Sequence, residues 1–237
     1  MTDAIQSLWV GPRLSVMERL SIASFLKNGH SYILYAYGPV EDLPEGAWIK
    51  DANEILPSAA IFTYSEHRTY SGFANFFRYK LLLERGGWWV DTDMICLKPF
   101  IFSSEFVFSS EHGGGGPRVN VGAIKVPAGS AVMRYAWDAC QRMDQTQLKW
   151  SQSGPLLAGA AVEACSLQAY VQPPEVFCPV HFSEWQKILD PAAAWQFGDS
   201  TLAVHCWNEL WRRSNQSKDT SYDSGCLYET LKRRYLD

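Results

Sequence analysis

Residues 71–98, SGFANFFRYKLLLERGGWWVDTDMICLK, constrain the fold more than any other stretch of the chain. Phe73, Phe77, Tyr79, Leu81, Leu82 and Leu83 predict a largely apolar helix, buried on more than one face. Gly86 and Gly87 supply the left-handed residue that commonly ends such a helix. Trp88, Trp89 and Val90 then read as a short buried strand. Its end delivers Asp91 and Asp93, which strand alternation points the same way, with Thr92 opposite. Two carboxylates on one face there are costly to desolvate unless a positive charge sits between them. A hard divalent cation carrying a diphosphate meets that need, and such a site suits Mn²⁺ or Mg²⁺. A bare DxD is only a strand-end turn with Asx capping; the helix, glycine pair and strand before it carry the metal reading.

The rest of the chain supplies the frame. Ile5 to Val10 predicts a first strand, and Ser15 with Glu18 a capping box for a helix carrying Val16, Leu20, Ala23 and Leu26 on one face. Asn28-Gly29 ends that helix, and Ser31 to Tyr37 is a second strand. A strand, a helix-length connection and a strand imply a parallel pair, the nucleotide-binding half of an α/β sheet. Further strands are expected at 47–50, 106–109, 119–126 and 201–206, and a helical turn at 51–56. Helices are expected at 131–143, 155–168 and 222–235. The glycine run 113–116 lacks the Lys-(Ser/Thr) and the strand-to-helix setting of a phosphate loop, and reads as a mobile loop.

The 71–98 run resembles the DXD-containing sugar-nucleotide glycosyltransferases, a family 32-like grouping. Its members include lactosylceramide α-galactosyltransferases, fungal initiating mannosyltransferases, bacterial capsule glycosyltransferases and clostridial glucosylating toxin domains. The matching positions are Asn75, Arg78, Leu82, Gly86, Gly87, Trp89, Asp91 and Asp93, with Asn75 where an aspartate is more usual. The resemblance implies a GT-A type α/β fold. It spans one domain over 1–237, with a nucleotide-sugar half to about 98 and an acceptor-side half from about 99 that also completes the metal site. It further implies metal-dependent transfer, with retention, of a hexose from a nucleoside diphosphate sugar, a UDP-sugar, to a glycan, glycolipid or other hydroxyl acceptor.

By the same resemblance Asp91, Asp93 and Asn120 carry the catalysis, and Asp91, Asp93 and His205 hold the metal. Trp9, Gly11, Asn75, Arg78, Asn120, Gly122, Gly154 and Trp207 join Asp91 around the nucleotide sugar. Each has a plainer reading. Trp9 is either a base-stacking ring or a core tryptophan. Arg78, in an apolar helix, needs either a diphosphate or a structural carboxylate partner. His205 is a ligand or a satisfied core histidine, with His181 as its rival for the metal. Val119-Asn120-Val121-Gly122 is a ligand-facing strand or a hairpin with a bulge. Gly154-Pro155 is a helix start whose N–H groups could meet ligand oxygens.

Composition trims the alternatives. A net charge of -4 argues against a nucleic-acid partner. Ten tryptophans are many for this size; most are expected in the core and a few in the cleft. The six cysteines show no CxxC spacing, which excludes the usual zinc patterns and a compact disulfide framework. The start MTDAIQSLWVG has neither a basic nor an apolar leader, and no run reaches the length of a membrane span. The expectation is a cytoplasmic enzyme, with Arg212-Arg213 and Lys232-Arg233-Arg234 available for peripheral contact at an inner membrane. A sugar-nucleotide nucleotidyltransferase would share the architecture and metal but show a glycine-rich loop with a basic residue after the first strand, of which LWVGPRLSVMER is a poor version. A non-catalytic carbohydrate-binding protein would keep tryptophans without needing paired aspartates beside an arginine.

Overall fold

The computed structural model describes residues 4–64 and 68–237; residues 1–3, on which the reading of the chain's start partly rests, lie outside them. Strand β1 (Ile5–Trp9) leads through helix α1 (Val16–Lys27) to β2 (Tyr32–Ala36) and then β3 (Ala47–Asp51). The capping box forms as expected, the Ser15 N–H donating to the Glu18 carboxylate at 2.8 Å. A 3-10 turn at Ala52–Glu54 precedes the long helix α2 (Ser71–Arg85), which hands over to β4 (Gly87–Val90) and β5 (Met94–Cys96). Gly86 and Gly87 adopt φ of 63° and 82°. At Gly86 a Cβ would lie 2.4 Å from the Ala128 backbone nitrogen, so both conformation and space demand glycine.

The hairpin β6 (Val107–Gly113) and β7 (Gly116–Val126) follows, then α3 (Ala131–Gln141), α4 (Leu157–Ala164) and α5 (Pro174–Phe177). The chain closes with β8 (Ala203–His205), α6 (Asn208–Arg213) and α7 (Leu227–Tyr235). The main sheet runs β3-β2-β1-β4-β7-β6. Its first four strands are parallel, and β7 and β6 are antiparallel. The fold is therefore α/β with a mostly parallel sheet. Strand order reverses between β1 and β4, and ligands of open α/β sheets bind outside the carboxyl ends of the strands at such a switch. Trp9 ends β1 there, and Asp91 follows β4.

Each face of the sheet carries a core. Trp88 is fully buried on the face covered by α1 and α7, and Trp89 on the face covered by α2, α3 and α4. Alternation along β4 thus sends adjacent indoles into opposite cores. Burying side chains of this size contributes about 1.5–3 kcal/mol each, which fixes the strand register ahead of the aspartates.

Four sequence expectations need correction. Asp91-Thr92-Asp93 is not strand but a turn, closed by the Met94 N–H donating to the Asp91 carbonyl at 3.0 Å. The turn, not strand alternation, brings the two carboxylates together. The glycine run is not a loop between separate strands: it forms the tip of the β6–β7 hairpin, where Gly113 pairs with Gly116. The last helix starts at Leu227, because Asp223 first folds into a turn and accepts from the Gly225 N–H at 2.8 Å. The helix expected over 155–168 is shortened to α4, since a wide turn at Gln152–Leu156 occupies its start and Ser166 (φ 57°) breaks its end. All six cysteines are free thiols, five of them buried. Among the described residues no helix is long and apolar enough to cross a membrane.

Candidate active site

The switch point opens into a cleft of about 900 Å³. On its floor Asp91, Asp93 and His205 each present a ligand atom, all within 4.8 Å of one another. Residues over a hundred positions apart meet because β5 and β8 pair antiparallel with Met94 opposite His205. The Cys206 N–H then donates to the Asp93 carbonyl at 2.9 Å, locking the two segments together.

Asp93 and His205 are each only 7% exposed. Oδ2 of Asp93 lies 3.3 Å from Nε2 of His205 and accepts from the Asn208 N–H at 2.8 Å. Burial alone would push the Asp93 carboxyl up, but the His205 charge, its hydrogen bond and the Asn208 N–H bring it below its ordinary value. Burial alone would push the imidazole down; the Asp93 charge and hydrogen bond instead raise it well above its ordinary value. Nδ1 of His205 faces the Cys178 sulfur at 3.8 Å, which leaves Nε2 turned toward the aspartates. Burial pushes the Cys178 thiol up, so it remains protonated beside the histidine. Two carboxylates and one imidazole converging in this way fit a divalent cation.

Asp91 is held from behind. Its Oδ1 accepts from Arg78 at 2.5 Å and from the Trp89 indole at 2.8 Å. The guanidinium also lies 4.8 Å from the Trp89 ring centroid. The structural ion pair weighed for Arg78 therefore exists, and the same side chain lines the cleft. Asn75 accepts from Arg78 and donates to the Ser153 hydroxyl at 3.2 Å. Gly154 packs on Asn75, where a Cβ would meet the amide nitrogen at 3.1 Å. Its own N–H is spent in the local turn, on the Ser151 carbonyl at 3.2 Å, and not on the cleft.

Trp9 is half-buried, lines the cleft, and fixes its ring by donating to the Arg13 carbonyl at 3.1 Å. Gly11 sits off the cleft wall against that ring, its would-be Cβ 3.3 Å from the indole nitrogen. Asn120 lines the cleft, but its amide is committed: it donates to Glu111 at 2.6 Å and accepts from the Gly122 N–H at 2.6 Å. The space beside Gly122 is filled by Asn120 at 2.8 Å and His205 at 3.5 Å, so this glycine makes room for the site's own side chains. Trp207 lies against His205 with ring centroids 4.0 Å apart. His181 stands outside the three-residue cluster and bonds Ser183 at 2.6 Å.

Sequence reasoning missed Glu111, Ser153 and Cys178. Glu111 and Arg118 are register partners across the hairpin, bonded at 2.6 Å, a pairing visible only once the glycine run is seen as its turn. Ser153 stood one residue before the Gly-Pro pair and could have been read with it. Nothing in the sequence marked Cys178.

The fold is of the GT-A type, a mostly parallel α/β sheet with a cleft at its switch point. Residues 26–111 match the glycosyltransferase sugar-binding region containing a DXD motif, and residues 145–235 match the alpha 1,4-glycosyltransferase conserved region. These two matched regions identify the chain as a glycosyltransferase. Among solved structures it is similar in fold to the PaToxG glycosyltransferase, at a TM-score of 0.52 and 14% identity, covering 98% of this chain and 84% of that one. It also aligns with the WbbM bifunctional glycosyltransferase, at a TM-score of 0.47 and 10% identity, over 100% of this chain and 52% of the other. No curated protein matches the chain at a significant level of sequence similarity.

Proposed function

We propose that the protein transfers a hexose, with retention, from a UDP-sugar to a hydroxyl of a glycan or glycolipid, and that it requires a divalent cation, Mn²⁺ before Mg²⁺. The convergence of Asp91, Asp93 and His205 within 4.8 Å on the floor of a large cleft carries this reading. Asp93 and His205 would hold the cation directly, with Asp91 reaching it from the other side of the turn. When bound, the cation neutralises a diphosphate leaving group.

The chain's own residues do the remaining work. Trp9, at the end of β1, offers a flat ring for a base, and a base stacked there projects its ribose and phosphates toward the turn. Arg78 is fixed by Asp91 and Asn75, so its fork keeps one orientation toward the donor. Asn75 is braced by Ser153 for the same end. Charge develops at the sugar as the glycosidic bond breaks, and the negative charge of Glu111, held by Asn120 and Arg118, stands on the cleft wall. No separate general base is required if the departing diphosphate accepts the acceptor's proton.

The test is a panel of UDP- and GDP-hexoses incubated with Mn²⁺, Mg²⁺ or EDTA, reading release of nucleoside diphosphate. Metal-dependent hydrolysis of a UDP-hexose is expected. Release of pyrophosphate instead, or turnover unaffected by EDTA, rejects the reading. In the same assay Trp9→Ala should weaken UDP binding by about 1–3 kcal/mol, the scale of one lost base stack.

A further inference from the structure

A second cavity, of about 720 Å³, lies beside the cleft and is lined by His112, His181, Glu184, Lys187, Asp190 and Trp195. Nothing in the donor chemistry uses it. The wall between the two cavities is thin and made of paired neighbours. Glu111 lines the cleft while His112, next along β6, faces the second cavity. Phe182 lines the cleft while His181 faces the second cavity, their rings 4.4 Å apart. Arg118 joins the ridge, with its guanidinium 5.8 Å from the Phe182 ring and its charge on Glu111.

The chemistry of the ridge and groove suits a sugar chain. A pyranose presents a face of C–H groups and an edge of hydroxyls. It is held by an aromatic face together with planar polar groups that hydrogen-bond in pairs. Phe182 is half-buried, with Arg118 and Glu111 beside it. In the groove Trp195 is half-buried and fixed by its indole N–H, which donates to the Lys187 carbonyl at 2.9 Å. The rings of His112 and His181 stand 6.1 Å apart beside it. Charge limits the ligand. Lys187 is neutralised by Glu184 at 2.5 Å, Glu175 sits 3.6 Å from His112, and Asp190 adds a further negative charge. A polyanion is disfavoured, and a neutral oligosaccharide is not.

Resting on the glycan-acceptor reading above, we propose that the acceptor is a neutral oligosaccharide whose terminal unit sits on Phe182 in the cleft. Its preceding units cross the ridge into the groove lined by His112, His181 and Trp195. The enzyme then prefers chains to single sugars.

The experiment compares kcat/KM for transfer to mono-, di- and tetrasaccharides of the gluco-, galacto- and manno- series, with the donor selected by the hydrolysis panel. Donor hydrolysis without acceptor is measured in parallel. Wild-type protein should favour the tetrasaccharide of one series. Trp195→Ala should cut that advantage roughly three- to tenfold, the scale of one lost aromatic contact, and leave monosaccharide transfer and hydrolysis unchanged. Trp195→Phe, which keeps a ring, should retain most of it. Donor hydrolysis accompanied by transfer that shows no dependence on chain length, or by no transfer to any oligosaccharide, overturns the proposal, as does a length preference that Trp195→Ala leaves intact. Absence of both hydrolysis and transfer in the wild type removes the glycosyl-transfer mechanism itself, a distinct outcome. His112→Ala, at a partly exposed strand position, repeats the test if Trp195→Ala melts early.

Discussion

At the scale of single residues, the site turns on what His205 carries. Against burial, the Asp93 charge and hydrogen bond raise its imidazole well above its ordinary value, which favours the protonated ring. A cation ligated by Nε2 needs the neutral ring, so binding must expel that proton. Affinity for Mn²⁺ should therefore fall as pH drops below neutrality, and calorimetry in buffers of different ionisation enthalpy should show release of about one proton per ion bound. His205→Ala should abolish the proton release and weaken the site, with higher Mn²⁺ restoring part of the donor hydrolysis. Asp93→Asn keeps the acceptor for the Asn208 N–H but loses the charge, so hydrolysis should collapse with little change in melting temperature. Wild-type metal dependence in His205→Ala would return the shell to solvent. His181 is no longer a rival, since it lies in the neighbouring groove. Much of this was readable in the sequence, because Asp91, Asp93 and Arg78 stand in a single run. His205 was reachable only through resemblance, because the antiparallel pairing that delivers it joins strands of three residues each.

At the scale of elements, the wide turn at Gln152–Leu156 acts as a brace for α2. Tyr79 donates to the Ser153 carbonyl at 2.9 Å, and burial raises its phenol so that it stays a donor. Ser153 in turn accepts from Asn75, and Gly154 leaves Asn75 its place. Gly154→Ala puts a methyl 3.1 Å from the Asn75 amide, which must shift away from Ser153. The expected result is a raised KM for the donor with an intact fold, read by steady-state hydrolysis and thermal melting. Gly86→Ala is the contrast. Its methyl would meet backbone at 2.4 Å in a left-handed conformation, and the loss should be stability, more than about 2 kcal/mol. An unchanged donor KM in Gly154→Ala would detach Asn75 from donor binding. The elements of the amino-terminal half were legible because apolar runs, caps and glycines agree there. After residue 150 the helix at 157–164, the strand at 203–205 and the last helix were legible, but the short 3-10 and wide turns between them were not: they carry no period, and their geometry comes from side chains such as Asp223 and Tyr79.

At the scale of the whole molecule, the two ends of the chain share one core. α1 packs against α7, and Phe25, Trp88, Trp211 and Tyr228 belong to the same buried cluster. Asn28 at the end of α1 donates to the Cys96 carbonyl at 3.2 Å and reaches the Tyr235 hydroxyl at 3.4 Å. The Trp211 ring packs at a tilt on Tyr228 and Trp185, with centroids 5.0 Å and 5.5 Å away. A nucleotide-sugar half ending near residue 98 would leave β5 without its partner β8 and the α1 face of the sheet uncovered. Truncation before Ala203 removes β8, His205 and α7 together. The shortened protein should therefore fail to fold, as shown by loss of near-ultraviolet dichroism and of a cooperative melt, and not merely lose metal. Should it melt cooperatively and still bind UDP, the donor half would be an independent folding unit and the shared core dispensable. The expectation is the reverse, because one pairing of three-residue strands supplies both the closing of the core and the histidine of the site.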